Sequence, residues 1–418
     1  MEIFLCVEDE GYKNMDFSIP EEGNPGVSGT IYEFLMLIKY LCMDKDYLVN
    51  VFCFENNRYP FGCNCIKIEN HEAIWKYPFK KKDILIVQST LNKSFYNELE
   101  GKKVRTIIWA HNYLSGEMVE MFNRMNSVKR IVFVGQEQYD HYVGHDIINK
   151  STYIYNMFEA NNSKYYRKDK LEPIVTYTGS LIPAKGFHVL ARVWKKIVKR
   201  VPEAQLYVVG SGKLYDQRNQ LGEYGVAEDS YEKAFIKYII EEDKIMPSVH
   251  FLGVCGREKV ELYQRTLVGV MNPTGATETF GLSGVEMEAC GIPIVTKKKY
   301  GLFDIVEDKK TGFLISSEKE LEEKIVELLV DREKNHVMGE KAKSFVTEKF
   351  APEVILPAWK QIFFEIDKNL EAKYRKPCCH FFNDYKWLMI LNRRIKNVFP
   401  HFPSIIGLRS RRRNKSII

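Results

Sequence analysis

The residues best suited to chemistry in this chain are two glutamates, Glu278 and Glu286, which stand eight positions apart around Gly281. The pattern predicts that a strand ends before this glycine and that a helix begins after it. Carboxylates beside such a turn can accept hydrogen bonds from sugar hydroxyls, and N–H groups at a helix N-terminus stabilise an anionic leaving group. A structural alternative, in which Ser283 and Glu286 form a capping box, leaves Glu278 unexplained.

Two earlier segments carry a similar strand-to-turn pattern. Gly179 follows a predicted strand and Lys185 stands just before a predicted helix. At the carboxyl edge of a parallel sheet, helix starts of this kind attract phosphate. Gly210 and Gly212 follow the next strand, where glycine lets a ligand approach the backbone closely. Lys185 is therefore well placed for a diphosphate, and a solvated loop lysine is the alternative.

The elements that must position these residues alternate between short apolar strands and amphipathic helices, a pattern typical of α/β folds with parallel sheets. In the first half, strands are predicted at 3–7, 48–54, 84–88, 105–109, 131–134 and 151–154, with a helix at 29–41. In the second half, strands are predicted at 174–178, 205–209, 249–252, 268–272 and 293–296, with helices at 187–199, 283–290 and 318–329. The polar segment 215–245 is predicted to be a helical excursion on the surface.

A chain of 418 residues is too long for one compact core, so two domains and a tail are expected. The polar stretch 160–170 marks the linker. We therefore predict an N-terminal domain over 1–170, a C-terminal domain over 171–350 and a tail over 371–418. A helix at about 352–368 is expected to cross back to the first domain.

Composition narrows the class of protein further. The chain is 45% hydrophobic and 28% charged, which is ordinary for a globular protein. No stretch approaches the roughly 20 apolar residues of a membrane span, and no secretion signal is visible. The nine cysteines include Cys63-x-Cys65 and the Cys378-Cys379 pair, whose spacings do not resemble a zinc site, so free thiols in a reducing cytoplasm are expected.

Taken together, these motifs resemble the donor domain of retaining GT-B glycosyltransferases of family four. The resemblance covers 174–316 and rests on the Gly-Ser-Leu-Ile-Pro-Ala-Lys-Gly run, the Val249-His-Phe-Leu-Gly253 strand and the paired glutamates. It implies two Rossmann-like, doubly wound domains facing an interdomain cleft. It also implies that Glu278 contacts the donor hexose, that Glu286 contacts the nucleotide ribose, and that the backbone at Phe280, Gly281 and Leu282 faces sugar and phosphate. The implied donor-binding set is Gly26, Ser180, Lys185, Gly210, Gly253, Glu278, Phe280, Gly281, Leu282 and Glu286.

The resemblance has one departure in the phosphate clamp. Family members usually carry an arginine and a lysine in the first element, and here the arginine position is Ser180. A guanidinium makes a bidentate, charge-assisted clamp that a hydroxyl cannot reproduce. Leaving-group stabilisation must then rest on Lys185, a helix N-terminus or another cation. We expect Lys297, Lys298 or Lys299 to supply this cation.

The first domain resembles the family less closely. The segment 24–30 occupies the place of a glycine-rich loop, with Gly26 present and Pro25 replacing one of the usual paired glycines. A helix-capping turn is the alternative for this segment. His111 follows the strand at 105–109 and is expected to project into the interdomain crevice. The resemblance implies that it touches the donor sugar and the reaction centre; a structural histidine is the alternative.

The predicted function is hexose transfer from a nucleoside-diphosphate sugar to a hydroxyl of a glycan or lipid-linked acceptor, with retention, in bacterial surface polysaccharide biosynthesis. His111, Glu278 and Lys185 are the predicted catalytic residues. No cofactor or metal is expected, because Asp44-Lys-Asp46 lies far along the chain from the donor motifs. A nicotinamide dehydrogenase lacks support, since no Gly-x-Gly-x-x-Gly follows a strand. The remaining alternative is a degenerate, non-catalytic sugar-nucleotide-binding subunit.

The tail carries most of the positive charge. Residues 371–418 hold twelve Lys or Arg against two acids, while the whole chain has a formal charge of +6. Such asymmetry indicates an anionic partner, either nucleic acid or a lipid surface. Aromatic and aliphatic residues interleave with the cations, so we expect an anionic membrane face carrying the acceptor and no nucleic acid. The expected location is cytoplasmic, or peripheral on the inner face of the membrane; a packed helix with a disordered end is the alternative.

Overall fold

A computed structural model describes residues 1–168, 170–212, 220–378 and 380–406. The chain divides into two compact units. The first unit contains Met1–Pro20, Thr30–Met157 and the residues from Pro352 onward, and the second contains Glu21–Gly29 and Phe158–Ala351. The division therefore follows Met157, whereas the sequence placed the linker at 160–170.

Within the described residues, the strands and helices alternate as an α/β protein requires. The strands are β1 (Glu2–Cys6), β2 (Leu48–Cys53), β3 (Asn64–Lys67), β4 (Ile84–Gln88), β5 (Arg105–Ala110), β6 (Val128–Phe133), β7 (Ser151–Tyr153), β8 (Ile174–Thr178), β9 (Gln205–Val209), β10 (Ile240–Glu241), β11 (Lys244–Ile245), β12 (Val249–Gly253), β13 (Val268–Val270), β14 (Ile294–Lys297) and β15 (Gly312–Ile315). The α-helices are α1 (Gly29–Cys42), α2 (Lys93–Leu99), α3 (Gly116–Arg124), α4 (Gln136–Asp140), α5 (Phe187–Arg200), α6 (Asp229–Ile236), α7 (Lys259–Tyr263), α8 (Leu282–Ala289), α9 (Leu302–Ile305), α10 (Glu318–Val330), α11 (Arg332–Phe350), α12 (Pro352–Asp367) and α13 (Lys386–Val398). Short 3₁₀ helices occupy Pro20–Glu22, His71–Lys76, Asp146–Lys150, Pro183–Lys185 and Asn383–Tyr385.

The first unit is built on a seven-stranded sheet with the order β3-β2-β1-β4-β5-β6-β7. Every neighbouring pair in it is parallel. Strands such as β4 are apolar along almost their whole length because both faces of a parallel sheet are covered. The strand order reverses between β1 and β4, so the carboxyl ends of these two strands border a crevice.

The second unit repeats this plan with a six-stranded parallel sheet, in the order β12-β9-β8-β13-β14-β15. Its core joins the sheet to α5 and α10, whose inward faces carry large apolar side chains such as Trp194 and Leu328. Here the strand order reverses between β8 and β13. The predicted α/β fold class is confirmed in both units.

The segment 215–245 differs from the predicted surface excursion. Residues 213–219 lie outside the described part of the chain; the rest forms α6 and the β10–β11 hairpin. Ala227, Tyr231, Phe235 and Ile239 are all buried in the core of the second unit. Tyr231 and Phe235 lie four residues apart on one face of α6, and Ala227 and Ile239 flank that helix. The abundance of Glu and Lys around them hides this apolar pattern in the sequence.

The described part of the C-terminal segment packs into the core of the first unit. In α13, Met389 is fully buried in the core of the first unit, and Lys386 is buried beside Glu137 and Asp140. Among the described residues, no helix is long and apolar enough to cross a membrane. The basic cluster expected at 409–415 lies outside the described residues.

Candidate functional site

A pocket opens in the second unit at the carboxyl ends of β8, β9 and β13. Because the strand order reverses between β8 and β13, this is where open α/β sheets bind ligands. The loop that precedes α1 contributes Asn24 and Gly26 to the lining and belongs to the same unit. All the polar groups discussed next therefore lie within one compact body.

Glu278 is held in this pocket by two donors. Its Oε2 accepts a 2.7 Å hydrogen bond from Lys185 Nζ and a 2.8 Å bond from Asn272 Nδ2. Lys185 lies at the end of the 3₁₀ turn after β8, and Asn272 follows β13, so three separate segments meet at one carboxylate. Asn272 adopts a left-handed backbone with φ of 37°, which ends β13 before the expected residue 272.

Glu286 lies on α8 and is paired with a cation that the sequence did not single out. Its Oε2 lies 2.9 Å from Lys259 Nζ, and the two side chains are only 4% and 7% exposed. The other carboxylate oxygen, Oε1, is buried and has no hydrogen-bond partner among the described residues. A buried, unsatisfied acceptor is costly unless a ligand supplies the donor. Glu286 is thus poised to accept a hydrogen bond from a bound molecule.

Glycines shape the backbone around these charges. At Gly210, where φ is 137°, a Cβ would lie 2.0 Å from the carbonyl oxygen of Gly179. Gly281 is the N-cap of α8 with φ of 92°, and a Cβ there would lie 2.7 Å from Met271 Cε. Both positions therefore require glycine, because the backbone must pass close to its neighbours in a left-handed conformation.

The loop before α1 is organised by Asn24. Its Oδ1 accepts hydrogen bonds of 2.9 Å from the N–H groups of Gly26 and Val27, and its Nδ2 donates to the Val27 carbonyl. This arrangement is an Asx-type turn, which a short amide side chain favours. The loop lines the pocket at Asn24, Gly26, Val27 and Gly29.

Most of the predicted donor-binding residues line this single pocket. They are Gly26, Ser180, Lys185, Gly210, Glu278, Gly281, Leu282 and Glu286. Gly253 lines a neighbouring surface depression together with Gly210, and the Phe280 side chain packs on Phe350 at 5.1 Å between ring centroids. Ser180 is buried and donates from Oγ to the Ser211 carbonyl at 3.2 Å. Lys297 donates to the carbonyl of Ser316.

His111 follows β5 in the first unit. Its ring packs against Trp109 and Phe34, with centroid separations of 4.7 and 6.2 Å. Burial lowers the pKa of His111 to about 3, so the imidazole is neutral at physiological pH. A neutral imidazole can serve as a hydrogen-bonding group but carries no charge to offer a phosphate.

Two pocket residues escaped the sequence reasoning, Lys259 and Asn272. Lys259 opens the short helix α7, at a position where the surrounding Val260, Leu262 and Tyr263 are apolar and buried. A lysine within such an apolar face signals a buried partner, since unpaired buried ammonium groups are rare. The partner is Glu286, which is distant in sequence, so the pair could not be identified without the fold.

Comparisons with known proteins agree with this geometry. A family model described as Glycosyl transferases group 1 matches residues 158–345, which is nearly the whole of the second unit. The second unit of this chain therefore resembles members of that family. The resemblance predicted from the paired glutamates and the lysine motif is therefore confirmed.

The individual proteins that this chain resembles are distant in sequence. Trehalose synthase of Pyrococcus horikoshii is 28% identical over 182 residues, covering 44% of this chain and 41% of that protein. The capsular polysaccharide biosynthesis glycosyltransferase CapM of Staphylococcus aureus is 23% identical over 225 residues, covering 52% of this chain and 54% of that protein. The matches thus span about half the length of these curated relatives.

The solved structures confirm the fold. HepE of Anabaena, crystallised with UDP-glucose, superposes with a TM-score of 0.62 at 17% identity, covering 88% of this chain and 100% of that chain. The fold is therefore GT-B, as predicted.

Proposed function

We propose that this protein transfers a hexose from a nucleoside-diphosphate sugar to a hydroxyl of a glycan or lipid-linked acceptor in bacterial surface polysaccharide biosynthesis. The observation that carries the proposal is the buried pocket in which Glu278 pairs with Lys185 and Glu286 pairs with Lys259. Two further facts support it: CapM is named for capsular polysaccharide biosynthesis, and HepE was crystallised with UDP-glucose.

In this proposal Glu286 and Glu278 each accept a hydrogen bond from one of the two sugars of the donor. Glu286 Oε1 is buried and has no hydrogen-bond partner in the described part of the chain, and it accepts a hydrogen bond from a ribose hydroxyl when the donor binds. Glu278 keeps its bonds to Lys185 and Asn272 and accepts a hexose hydroxyl on its remaining oxygen. The N-terminus of α8, which begins at Gly281, faces the diphosphate.

Lys259 offers a second cation for the diphosphate in place of the arginine that Ser180 replaces. Lys185 and Lys259 both line the pocket, and an ammonium has three donors, so each can keep its glutamate and still contact a phosphate oxygen. Lys297 donates to Ser316 and is not among the pocket-lining residues. We therefore assign the leaving-group role to Lys185 and Lys259 rather than to the lysines at 297–299.

The chemical step expels a nucleoside diphosphate as the acceptor hydroxyl attacks the anomeric carbon. The main requirement is to stabilise the negative charge that develops on the departing phosphate. Fixed cations and aligned N–H groups provide this stabilisation. We propose retention by front-side attack, with the departing phosphate helping to accept the proton. We also propose that His111 acts as a neutral hydrogen-bonding group in the reaction and that transfer requires no added divalent metal.

The proposal is tested by incubating the protein with a panel of nucleotide sugars and measuring release of nucleoside diphosphate. We expect one donor to be turned over, and Glu278→Gln to reduce the rate by at least about 100-fold, as the loss of a charge-assisted contact at a reacting sugar does. Glu307→Gln, outside the pocket, is the matched control and should keep full rate. Metal-free enzyme should gain nothing from added Mg²⁺ or Mn²⁺.

The alternative of a non-catalytic sugar-nucleotide-binding subunit rests on Ser180, which removes the usual guanidinium. It predicts tight donor binding without release of diphosphate from any nucleotide sugar. Calorimetric binding measured in parallel with turnover separates the two: affinity without turnover, across the panel and with acceptor glycans present, would establish the non-catalytic function.

We also propose that the C-terminal segment places the protein on the inner, anionic face of the cytoplasmic membrane. While Met389 is buried, the side chains of Trp387, Leu391, Phe399 and Phe402 are exposed. They combine with basic residues such as those at 393 and 394 into a surface suited to lipid headgroups. A truncation at 374 is a poor test, because it removes Lys386 from two buried carboxylates.

A sharper test replaces the exposed aromatics. Trp387→Ser combined with Phe399→Ser and Phe402→Ser should reduce sedimentation with anionic liposomes by at least about tenfold, because even one large side chain contributes roughly 1.5–3 kcal/mol when buried. The control is Phe61→Ser, which removes an even more exposed aromatic side chain in another part of the first unit. Binding that survives the triple change would rule out this surface.

A further inference from the structure

A second group of reactive side chains lies at the carboxyl edge of the first sheet. Cys6 ends β1, Glu8 follows two residues later, and His71 opens the 3₁₀ helix after β3. β1 borders the point where the strand order of this sheet reverses, between β1 and β4. This is the edge at which open α/β sheets bind ligands, and none of the three residues belongs to the donor pocket.

The three side chains converge on one point. His71 Nε2 lies 2.8 and 2.9 Å from the two carboxylate oxygens of Glu8, and Cys6 Sγ lies 3.4 Å from Glu8 Oε1. One ligand atom from each residue lies within 4.8 Å of the other two. In a tetrahedral zinc site with bonds of about 2.0–2.3 Å, ligand atoms are separated by about 3.3–3.8 Å. Shifts of about an ångström in the His71 and Cys6 side chains would meet this geometry.

The donor set is the one that zinc prefers. Thiolate, imidazole and carboxylate are its common protein ligands, and three of them leave a fourth position open to water. Cys6 is buried, whereas the His71 and Glu8 side chains are 18% and 26% exposed, so an ion can enter from the solvent side. The rings of Phe54 and Phe95 pack edge-on against His71 and orient its imidazole.

A nucleophilic function for Cys6 does not fit this order of contacts. The thiol donates its hydrogen bond to Glu8, and the imidazole also bonds to Glu8, so the carboxylate lies between them. In a cysteine–histidine pair the imidazole itself must take the thiol proton. A shared central carboxylate is instead suited to holding a cation between a thiolate and an imidazole.

The first unit contains another cluster that can be compared with this one. Glu137, Cys378 and His380 form a second cluster of the same three ligand types. There the ammonium of Lys386 already lies 2.6 Å from Cys378 Sγ and 2.8 Å from a Glu137 oxygen, where a metal would sit. That cluster contains its own cation.

The Cys6 cluster has no such cation. In the described part of the chain, the Glu8 carboxylate bonds to Cys6 and His71 and to no lysine or arginine. The neighbouring charges are those of Glu10 and Glu72, which act on His71. The local field therefore favours a divalent cation.

We propose that Cys6, Glu8 and His71 bind one Zn²⁺ ion with an open fourth position. The ion would lie between the end of β1 and the start of the 3₁₀ helix at His71, and would stabilise this edge of the first unit. The site uses no residue of the donor pocket, so the proposal stands independently of the transferase function.

The test uses the full-length protein, stripped of metal and titrated with Co²⁺ as a spectroscopic substitute and then with Zn²⁺ as a competitor. One equivalent of Co²⁺ should bind and give a thiolate-to-cobalt charge-transfer band in the near ultraviolet. Cys6→Ser should abolish the band. His71→Gln should weaken binding by at least about tenfold, since even outer-shell changes alter metal affinity by about 10–100-fold.

The matched control is His380→Gln in the cluster that holds Lys386, which should leave the stoichiometry and the band unchanged. His71 is partly exposed, so its variant keeps the test valid if Cys6→Ser fails to fold. A protein that shows no cobalt–thiolate band would overturn the proposal, and so would a band that His71→Gln leaves unaltered or that His380→Gln removes.

Discussion

The buried pair of Lys259 and Glu286 offers the most informative perturbation of the donor pocket. Its charges are 2.9 Å apart, and both side chains are almost fully buried. Removing one member of such a pair leaves an uncompensated buried charge, at a cost of about 3–5 kcal/mol. At about 2–4 °C per kcal/mol for a domain of this size, Lys259→Met should lower the melting temperature of the second unit by about 10 °C.

The double variant separates stability from function. Lys259→Met with Glu286→Gln removes both charges, so its melting temperature should recover by more than half of the loss seen in Lys259→Met. Donor affinity should not recover, because the carboxylate that we propose accepts a hydrogen bond from the ribose hydroxyl is gone. Differential scanning calorimetry measures the first quantity, and isothermal titration with the nucleoside diphosphate measures the second.

The control is Lys233→Met, which removes a lysine from an exposed pair with Asp229. Exposed pairs contribute little to stability, so its melting temperature should match that of the wild type. If Lys259→Met melts at the same temperature as Lys233→Met, the pair is not a buried structural element. If Glu286→Gln binds the diphosphate as tightly as the wild type does, the ribose assignment is wrong.

Three further changes probe the backbone and the buried ionisable groups. Gly210→Ala should lower the free energy of unfolding by about 1–3 kcal/mol or more and reduce donor affinity, because its Cβ would press on the Gly179 carbonyl. The control is Gly225→Ala, where a Cβ meets no atom within 4 Å. In the same melting experiment its loss of stability should be less than half as large. Burial raises the pKa of Glu288 well above its usual value, so ionisation of the unfolded chain above about pH 4.5 reduces stability, and Glu288→Gln should raise the melting temperature at pH 7 but not at pH 4. Burial lowers the pKa of His111 to about 3, so stability should fall by about 1.4 kcal/mol per pH unit as pH drops below about 6.5, and His111→Phe should remove that part of the slope in pH-dependent unfolding.

Local patterns were sufficient for much of the fold. The predicted strands at 84–88, 174–178 and 205–209 agree with β4, β8 and β9 at both ends. Each is a short, mainly apolar run that ends before a serine or a glycine, so the local pattern indicates its limits. β13 ended earlier than predicted because Asn272 turns into a left-handed conformation to bond Glu278. That bond joins two loops and leaves no mark in the periodicity.

The insertion after β9 differs from its prediction for a related reason. Its surface residues are charged, and the apolar residues that reach the core are few among them. The proportion of polar residues in a segment reports how much of it contacts water. It does not report whether one narrow face is buried, which depends on what packs against it.

The amino-acid sequence by itself determined the family resemblance and the α/β class, and it singled out Glu278, Glu286 and Lys185, because each depends on residues close together in the chain. The tertiary structure alone decided which groups meet: Lys259 with Glu286, and Cys6 with His71. Such contacts arise where strands that are distant in sequence end side by side at one edge of a sheet. The topology of the sheet determines which of these residues meet, and the sequence between them does not indicate the pairing.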